Sequence, residues 1–291
     1  MKKKVAIVGV TGSVGQEFVQ SLKDHPWFEV TQIAASERSA GKKYVDSIKD
    51  PSGIIKWEVD GEIPEYIKEM TVKTVDEINT SELDLVFSAV ESEAARDIET
   101  KLAKDVPIIS TSSAYRYEDD VPILIPGIND EQSELLEIQK KNRNWKGWVA
   151  PLPNCTTTGL AITMKPLYEK YGAKKVMMTS MQAISGGGRS PGVSAMDVTD
   201  NIIPYIPKEE EKVRKETRKI LGKLKDGKIE PADIRISCTC TRVPVIDGHT
   251  ESVFVETSQE IDPQTAKKTY EEYNKSISVM GLPSAPKDYY A

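Results

Sequence analysis

Cys155 lies within Pro153-Asn154-Cys155-Thr156-Thr157-Thr158-Gly159, directly before an apolar-periodic stretch from Leu160 to Tyr171. A thiol placed there meets a helix N-terminus, whose unpaired N–H groups and positive dipole end favour the thiolate, the nucleophilic form of cysteine. The plain alternative is a small buried hydrophobe, so other residues must decide. A second cluster opens the chain. Gly9-Val10-Thr11-Gly12-Ser13-Val14-Gly15 follows strand-like Val5 to Val8 and runs into a helical pattern through Phe18, Val19 and Leu22. Glycines 9, 12 and 15 let backbone approach a pyrophosphate, whose charge then rests on the helix N-terminus. At the end of the next strand an NAD site offers an acidic residue to the ribose, whereas here Ser36, Glu37, Arg38 and Ser39 are followed by Lys42 and Lys43. Arg38 between serines suits a 2′-phosphate, so the expected cofactor is NADP. Glu37 argues the other way, and Arg38 with the lysines could also simply solvate a loop.

A thiolate and a hydride-delivering cofactor together need one proton-transfer group. His25 and His249 are the only histidines, which excludes a multi-histidine metal site; no metal is expected. His249 sits in Arg242-Val243-Pro244-Val245-Ile246-Asp247-Gly248-His249-Thr250-Glu251, where Asp247-Gly248 marks a turn and frees the imidazole to reach a substrate. Cys238 and Cys240 are separated by one residue and share a strand face, which favours core packing over ligation.

The elements that must position these residues follow from periodicity. Strand-like runs at Val5 to Gly9, Val30 to Ala35, Leu83 to Ser88 and Val106 to Ser110 alternate with helical segments such as Glu91 to Lys104. This alternation predicts an α/β Rossmann-like, doubly wound parallel sheet. Beyond Cys155 the texture changes, with strands at Val176 to Ala183, Ile234 to Cys240 and Glu251 to Glu256 around a charged helix from Lys208 to Leu224. The period of two in the last strand predicts an α+β domain whose mixed or antiparallel sheet keeps one open face. The expected domains are 1–153, nucleotide-binding, and 154–291, catalytic and dimerising.

With 291 residues, a net charge of −6 and an ordinary 38% apolar content, the chain offers no basic surface for nucleic acid. Met1-Lys2-Lys3-Lys4 runs straight into a strand with no extended apolar region behind it, so no signal peptide is expected, and no apolar run reaches membrane-spanning length. Three cysteines are too few for a disulfide scaffold and predict a reducing, cytoplasmic setting.

Taken together, Thr11 to Gly15, Ser113-Ala114-Tyr115-Arg116, Pro153 to Thr156, Gln182-Ala183-Ile184-Ser185-Gly186-Gly187-Gly188 and Arg242 through Glu251 resemble aspartate-semialdehyde dehydrogenase, and more narrowly its archaeal and fungal branch. The resemblance covers nearly the whole chain, with the motifs in order. It implies NADP-dependent reductive dephosphorylation of L-aspartyl 4-phosphate to the 4-semialdehyde, in aspartate-family amino acid biosynthesis. Cys155 would attack the acyl phosphate, His249 would be the acid/base group and Gln182 would orient the thioester. Arg242 would clamp the substrate carboxylate, while Ser113, Arg116 and Asn154 match phosphate-binding positions. Glu209 and Lys212 are spaced like the family's residues for the substrate amino group and phosphate, although Glu210 and Glu211 leave that register open. Gly9, Thr11, Gly12, Ser13, Val14, Gly15, Ser36, Arg38 and Ser39 would hold the nucleotide, with Ser185, Gly186 and Gly187 beside the nicotinamide. A homodimer or homotetramer built through the second domain's sheet is implied.

Family members continue past the position of Leu282 to Pro286 into further strands and a final helix that contacts the nicotinamide. The expectation here is therefore a chain lacking that segment and part of the cofactor site. Two rival enzymes and one non-enzyme follow. Malonyl-CoA reductase shares fold, cofactor and cysteine chemistry. Tyr171 and Lys175 have the Tyr-x-x-x-Lys spacing of short-chain dehydrogenases, with Gly172 falling where that pattern should continue as helix. A nucleotide-binding homologue without turnover is the third.

Overall fold

A computed structural model describes residues 1–188, 195–277, 279 and 281–290. The chain divides into two compact units, Met1–Val121 with Glu134–Leu152, and Pro122–Ser133 with Pro153–Ala291. The expected cut after residue 153 falls one residue past the last of the three breaks, between Leu152 and Pro153, and a single cut misses Pro122–Ser133. That segment belongs with the second unit because Ile123, Ile125 and Ile128 are buried against Ala161 and Ile220. Gln132 fixes it further by donating its Nε2 to the carbonyls of Lys219, Ile220 and Gly222 at 3.0–3.1 Å. A buried amide thus satisfies carbonyls that a helix end leaves open.

The first unit runs β1 (Lys3–Val8), α1 (Ser13–Ser21), β2 (Phe28–Ala34), single turns α2 (Tyr44–Ser47) and α3 (Glu65–Lys68), β3 (Leu85–Ser88), α4 (Ser92–Ala103), β4 (Ile108–Ser110), α5 (Leu135–Arg143) and β5 (Val149–Pro151). Its strands form a wholly parallel sheet in the order β2-β1-β3-β4-β5. Alternate side chains of β1 enter opposite cores: Val5 and Ile7 join Val19, Ile33 and Phe87, while Ala6 and Val8 join Val86, Leu102 and Ile108. A strand buried on both faces must read as an unbroken apolar run, which is why Val5 to Val8 does. The strand order reverses at β1, and the glycine turn leaves its C-terminal end, where open α/β sheets bind ligands.

The second unit runs α6 (Cys155–Tyr171), β6 (Ala173–Gln182), the single turn α7 (Ala195–Val198), α8 (Glu209–Ile220), the hairpin β7 (Lys223–Lys225) and β8 (Lys228–Glu230), β9 (Arg235–Arg242), β10 (Thr250–Thr257) and α9 (Pro263–Ser276). β6 lies between β10, antiparallel to it, and β9, parallel to it. This is the expected mixed sheet. One face is buried under α6 and α8 through Leu160, Met164, Val176, Met178, Val213, Cys238 and Cys240. Burial of Leu160 or Met164 contributes about 1.5–3 kcal/mol to holding α6 in place. The other face is open, with Met177 and Phe254 adjacent in register and 62% and 68% exposed. Pro166 interrupts α6 and cannot donate to the carbonyl of Ile162, which instead accepts the hydroxyl of Tyr290 at 2.9 Å. Among the described residues no helix is long and apolar enough to cross a membrane.

Candidate active site

Helix α6 begins at Cys155 itself, earlier than the apolar period suggests, because Asn154 caps it: the Asn154 side chain accepts the Thr157 N–H at 3.1 Å. The cap is held from α8 at both ends. The Asn154 amide donates to Glu209 Oε1 at 2.6 Å, and the Asn154 backbone N–H donates to Glu216 Oε2 at 2.7 Å. Glu209 and Glu216 are seven residues apart, on one helix face with buried Val213, Thr217 and Ile220. Lys212 Nζ lies 3.3 Å from Glu209 Oε2, so Glu209 and Lys212 are an ion pair within the site.

His249 arrives from the turn before β10, with its Nε2 3.2 Å from Cys155 Sγ and its Nδ1 accepting the backbone N–H of Ala183 at 3.1 Å. Gln182 and Arg242 are partners in register at the ends of parallel β6 and β9, and both are buried. Gln182 Nε2 donates to Ser180 Oγ at 3.2 Å, and Arg242 Nη1 donates to the Ala183 carbonyl at 2.7 Å. Arg242 Nε is buried and has no acceptor, which leaves a donor available to a carboxylate ligand. Gly186 makes this crowding possible: a Cβ there would stand 2.9 Å from His249 Cε1 and 3.1 Å from Arg242 Nη1.

The electrostatics depart from the expected thiolate. Although Cys155 is exposed as a residue, the protein packed around its sulfur and, next, the Glu209 carboxylate push the thiol above its ordinary value. Backbone hydrogen bonds at Cys155 and Thr156 act the other way and are outweighed. Burial and the Glu209 carboxylate together outweigh the helix N-terminus. His249 is held below its usual range by burial and by Arg242, with Glu209 opposing. A thiol, an imidazole in contact with it, and a buried guanidinium and amide close by can perform nucleophilic acyl transfer on a carboxylate-bearing substrate.

In the first unit, the glycines divide their work. Gly9 has φ +82° and a Cβ there would fall 2.5 Å from the Ala89 carbonyl oxygen; a Cβ on Gly15 would fall 2.2 Å from the Gly9 oxygen. Both are dictated by close backbone packing. A Cβ on Gly12 would meet only the Gly9 oxygen, at 3.6 Å, so its bareness leaves room for a ligand. Gly12 caps α1 without a side-chain hydrogen bond, so the N–H groups at Ser13, Val14 and Gly15 are not capped by its side chain. One cleft of about 470 Å³ is lined by Gly9, Thr11, Gly12, Ser36 and Glu37, and another of about 540 Å³ by Thr11, Arg38, Ser39, Lys42 and Lys56. Lys49 and Lys56 are paired with Asp46 and Asp50, whereas Arg38 and Lys42 have no carboxylate partner among the described residues. Unmatched cations beside an uncapped helix start fit a dinucleotide that carries an extra phosphate.

Two family models match the chain: semialdehyde dehydrogenase, NAD binding domain, over residues 4–136, and semialdehyde dehydrogenase, dimerisation domain, over residues 164–288. The aspartate-semialdehyde dehydrogenase of Archaeoglobus fulgidus is 45% identical over 98% of this chain and 80% of its own length. This chain belongs to the aspartate-semialdehyde dehydrogenase family. The enzyme of that name from Methanothermobacter thermautotrophicus is 42% identical over 97% of the chain and 79% of its own. A crystal structure of the Candida albicans aspartate semialdehyde dehydrogenase with NADP superposes with a TM-score of 0.86 at 38% identity, covering 98% of this chain and 80% of that one.

Of the positions the family resemblance singles out, Cys155, His249, Gln182, Arg242, Asn154, Glu209 and Lys212 all lie in the second unit, as do Ser185, Gly186 and Gly187 on the turn Ile184–Gly187. Ser113 and Arg116 lie in the first. There Ser113 Oγ is 3.0 Å from Ser92 Oγ, and buried Arg116 donates Nη2 to the Thr111 carbonyl at 3.0 Å. The Tyr171 and Lys175 pattern does not form the short-chain arrangement. Tyr171 ends α6 and pairs with Thr269 at 2.7 Å, while Lys175 lies on β6 paired with Glu256 at 2.8 Å. Glu216 is the site residue that sequence reasoning missed. Its signal was an acid on the apolar stripe of a helix read as uniformly charged.

Proposed function

We propose that this chain catalyses the reversible, NADP-dependent reductive dephosphorylation of L-aspartyl 4-phosphate to L-aspartate 4-semialdehyde through a Cys155 thioester. The observation that carries the reading is the 3.2 Å contact of Cys155 Sγ, at the first position of α6, with His249 Nε2, in a chain that belongs to this family. Sulfur attacks the acyl carbon, the C–O bond to phosphate breaks, and phosphate leaves with the electron pair. When bound, NADPH supplies the hydride that takes the thioester to the aldehyde level. The C–S bond then breaks and its electrons return to Cys155.

His249 faces the sulfur, with Nε2 3.2 Å from it. Gln182 orients the acyl group and Arg242 receives the substrate carboxylate, a role supported by its acceptorless buried Nε. Glu209 and Lys212 take the substrate's amino and phosphate ends, with Asn154, Ser113 and Arg116 on the phosphate. The first unit, through Gly9, Thr11, Gly12, Ser13, Val14, Gly15, Ser36, Arg38 and Ser39, holds NADP, and Ser185, Gly186 and Gly187 lie against the nicotinamide. The second unit is the catalytic and dimerising domain. Its open sheet face, with Met177 and Phe254 exposed, supports a homodimer or homotetramer. Three free cysteines suit a reducing, cytoplasmic setting.

The test is phosphate-dependent reduction of NADP with aspartate semialdehyde. Activity abolished by Cys155→Ser is expected; full activity in that variant overturns the reading, as does exclusive turnover of malonyl-CoA.

A further inference from the structure

We propose that Glu99, a buried acid on α4, is a positioning residue for phosphate: it orients the Ser110 hydroxyl, which holds the serine turn that carries Ser113 and Arg116. The proposal rests on the reading of Ser113 and Arg116 as phosphate-binding residues and specifies what keeps them in place. An acid on the inward stripe of an amphipathic helix needs partners, because burying a carboxyl without them is costly. Glu99 is fully buried on the same stripe of α4 as Ala95, Leu102 and Ala103. Its Oε1 accepts the hydroxyls of Ser88 at 2.7 Å and Ser110 at 2.5 Å, while Oε2 has no hydrogen-bond partner among the described residues. Burial pushes the carboxyl up, against the opposing pull of Ser110, Ser88 and Arg96.

Ser88 and Ser110 are partners in register at the ends of parallel β3 and β4, and both are fully buried. They differ in what lies beyond them. The chain leaving β3 is held by main chain, with the Ala89 N–H donating to the Val8 carbonyl at 2.8 Å. The chain leaving β4 is held by hydroxyls. Ser110 Oγ accepts the Ser112 N–H at 3.0 Å, Ser92 Oγ accepts the Ser113 N–H at 3.3 Å, and Ser112 Oγ accepts the Ala114 N–H at 3.1 Å. Three successive backbone donors thus end on serine oxygens, a local turn built from side chains. Arg116 hangs on the same turn: its N–H donates to the Ser113 carbonyl at 3.3 Å and its Nη2 to the Thr111 carbonyl at 3.0 Å.

A serine hydroxyl has one proton and rotates to suit its neighbours. With that proton committed to Glu99, Ser110 presents a lone pair to the Ser112 N–H. Without the carboxyl the hydroxyl is free to turn, and the first link of the turn loses its orientation. Helix α4 supplies the other anchors from nearby positions, since Ser92 lies seven residues before Glu99 and Arg96 donates to the Ala114 carbonyl. Glu99 itself touches neither substrate nor cofactor in this account; it acts through Ser110.

The experiment is calorimetric titration of the whole chain with inorganic phosphate in the presence of NADP. Ser88 and Ser110 form a matched pair, because both donate to the same oxygen and only Ser110 receives the turn. Ser110→Ala and Glu99→Leu should each weaken phosphate binding about tenfold, through loss of one orienting hydrogen bond. Ser88→Ala, and Glu99→Gln, whose amide oxygen accepts both serines, should stay within about twofold of the unmodified protein. NADP affinity should hold in all four variants. A carboxyl with a merely structural role predicts equal losses from Ser88→Ala and Ser110→Ala; that result, or unchanged phosphate affinity in Ser110→Ala, overturns the proposal. If Glu99→Leu does not fold, the serine pair decides alone. Arg116→Ala separates the proposal from the reading beneath it. Affinity lost there but kept in Ser110→Ala refutes the positioning alone, whereas affinity unchanged in Arg116→Ala refutes the phosphate reading and the proposal with it.

Discussion

Two helix starts in this molecule use the same backbone device for opposite ends. At α1, Gly12 caps the helix without a side chain and no acid lies in the first turn. The helix dipole and free N–H groups are left for an anion to use. At α6, Asn154 caps Thr157, the first position carries the Cys155 sulfur, and α8 sends Glu209 and Glu216 against the cap. Those carboxylates bind the capping turn, and burial of the sulfur together with Glu209 holds the thiol above its ordinary pKa instead of below it. A helix N-terminus therefore does not by itself make a thiolate or an anion site. What matters is which groups reach it first.

Substitutions on either side sharpen the contrast. The largest effect belongs to Cys155→Ser, which should cut turnover by roughly 10⁴-fold or more while leaving NADPH binding intact, because the nucleophile and the nucleotide turn occupy different helix starts. Turnover and a cofactor fluorescence titration measure the two halves. Next, Gly15→Ala should destabilise the first unit by about 1–3 kcal/mol, since the new methyl falls on the Gly9 carbonyl. Gly12→Ala, with its Cβ 3.6 Å from that oxygen, should leave denaturant stability nearly unchanged and raise the KM for NADP. Equal stability losses at both positions would erase the distinction drawn between them. Asn154→Ala removes the α6 cap and should cost about 1 kcal/mol in the same denaturation experiment.

Smaller, and electrostatic, is the effect of Glu209→Gln. Removing the carboxylate that raises the Cys155 thiol should move the pH profile of Cys155 alkylation to lower pH. No movement would show that burial alone sets the thiol. The smallest effect concerns Glu251, whose carboxyl is pushed up from 4.5 to about 7 by burial and then by Cys240. A folded pKa above the unfolded one means stability that is fully present below about 4.5 and lost as pH rises through about 7. Glu251→Gln should flatten that slope in thermal melts across this window.

Much of this was legible in the sequence because residue type and local spacing carried it. The Val5 to Val8 run, the glycine turn and the Cys155 turn announce themselves within a few residues, and His249 is one of only two histidines. What sequence could not show is long-range. Glu209 and Glu216 lie 55 and 62 residues beyond Asn154, in a helix whose density of charge hides that two acids face inward. Burial of the Cys155 sulfur and, next, the Glu209 carboxylate raise the thiol, and neither is visible in the residues around the helix start. Pro122–Ser133 misled for a related reason: its isoleucines pack against Ala161 and Ile220, far along the chain, so no local break marks it as part of the second unit.

The central claim is that Cys155 carries the acyl group. It is tested most directly by mixing the protein with aspartate semialdehyde and NADP in the absence of phosphate, then following NADPH formation and mapping adducts by peptide mass spectrometry. One equivalent of NADPH per active site in a rapid burst, with an aspartyl thioester on the Cys155 peptide that phosphate discharges, is the predicted result. No burst and no adduct, or an adduct on Cys238 or Cys240 in its place, would contradict it.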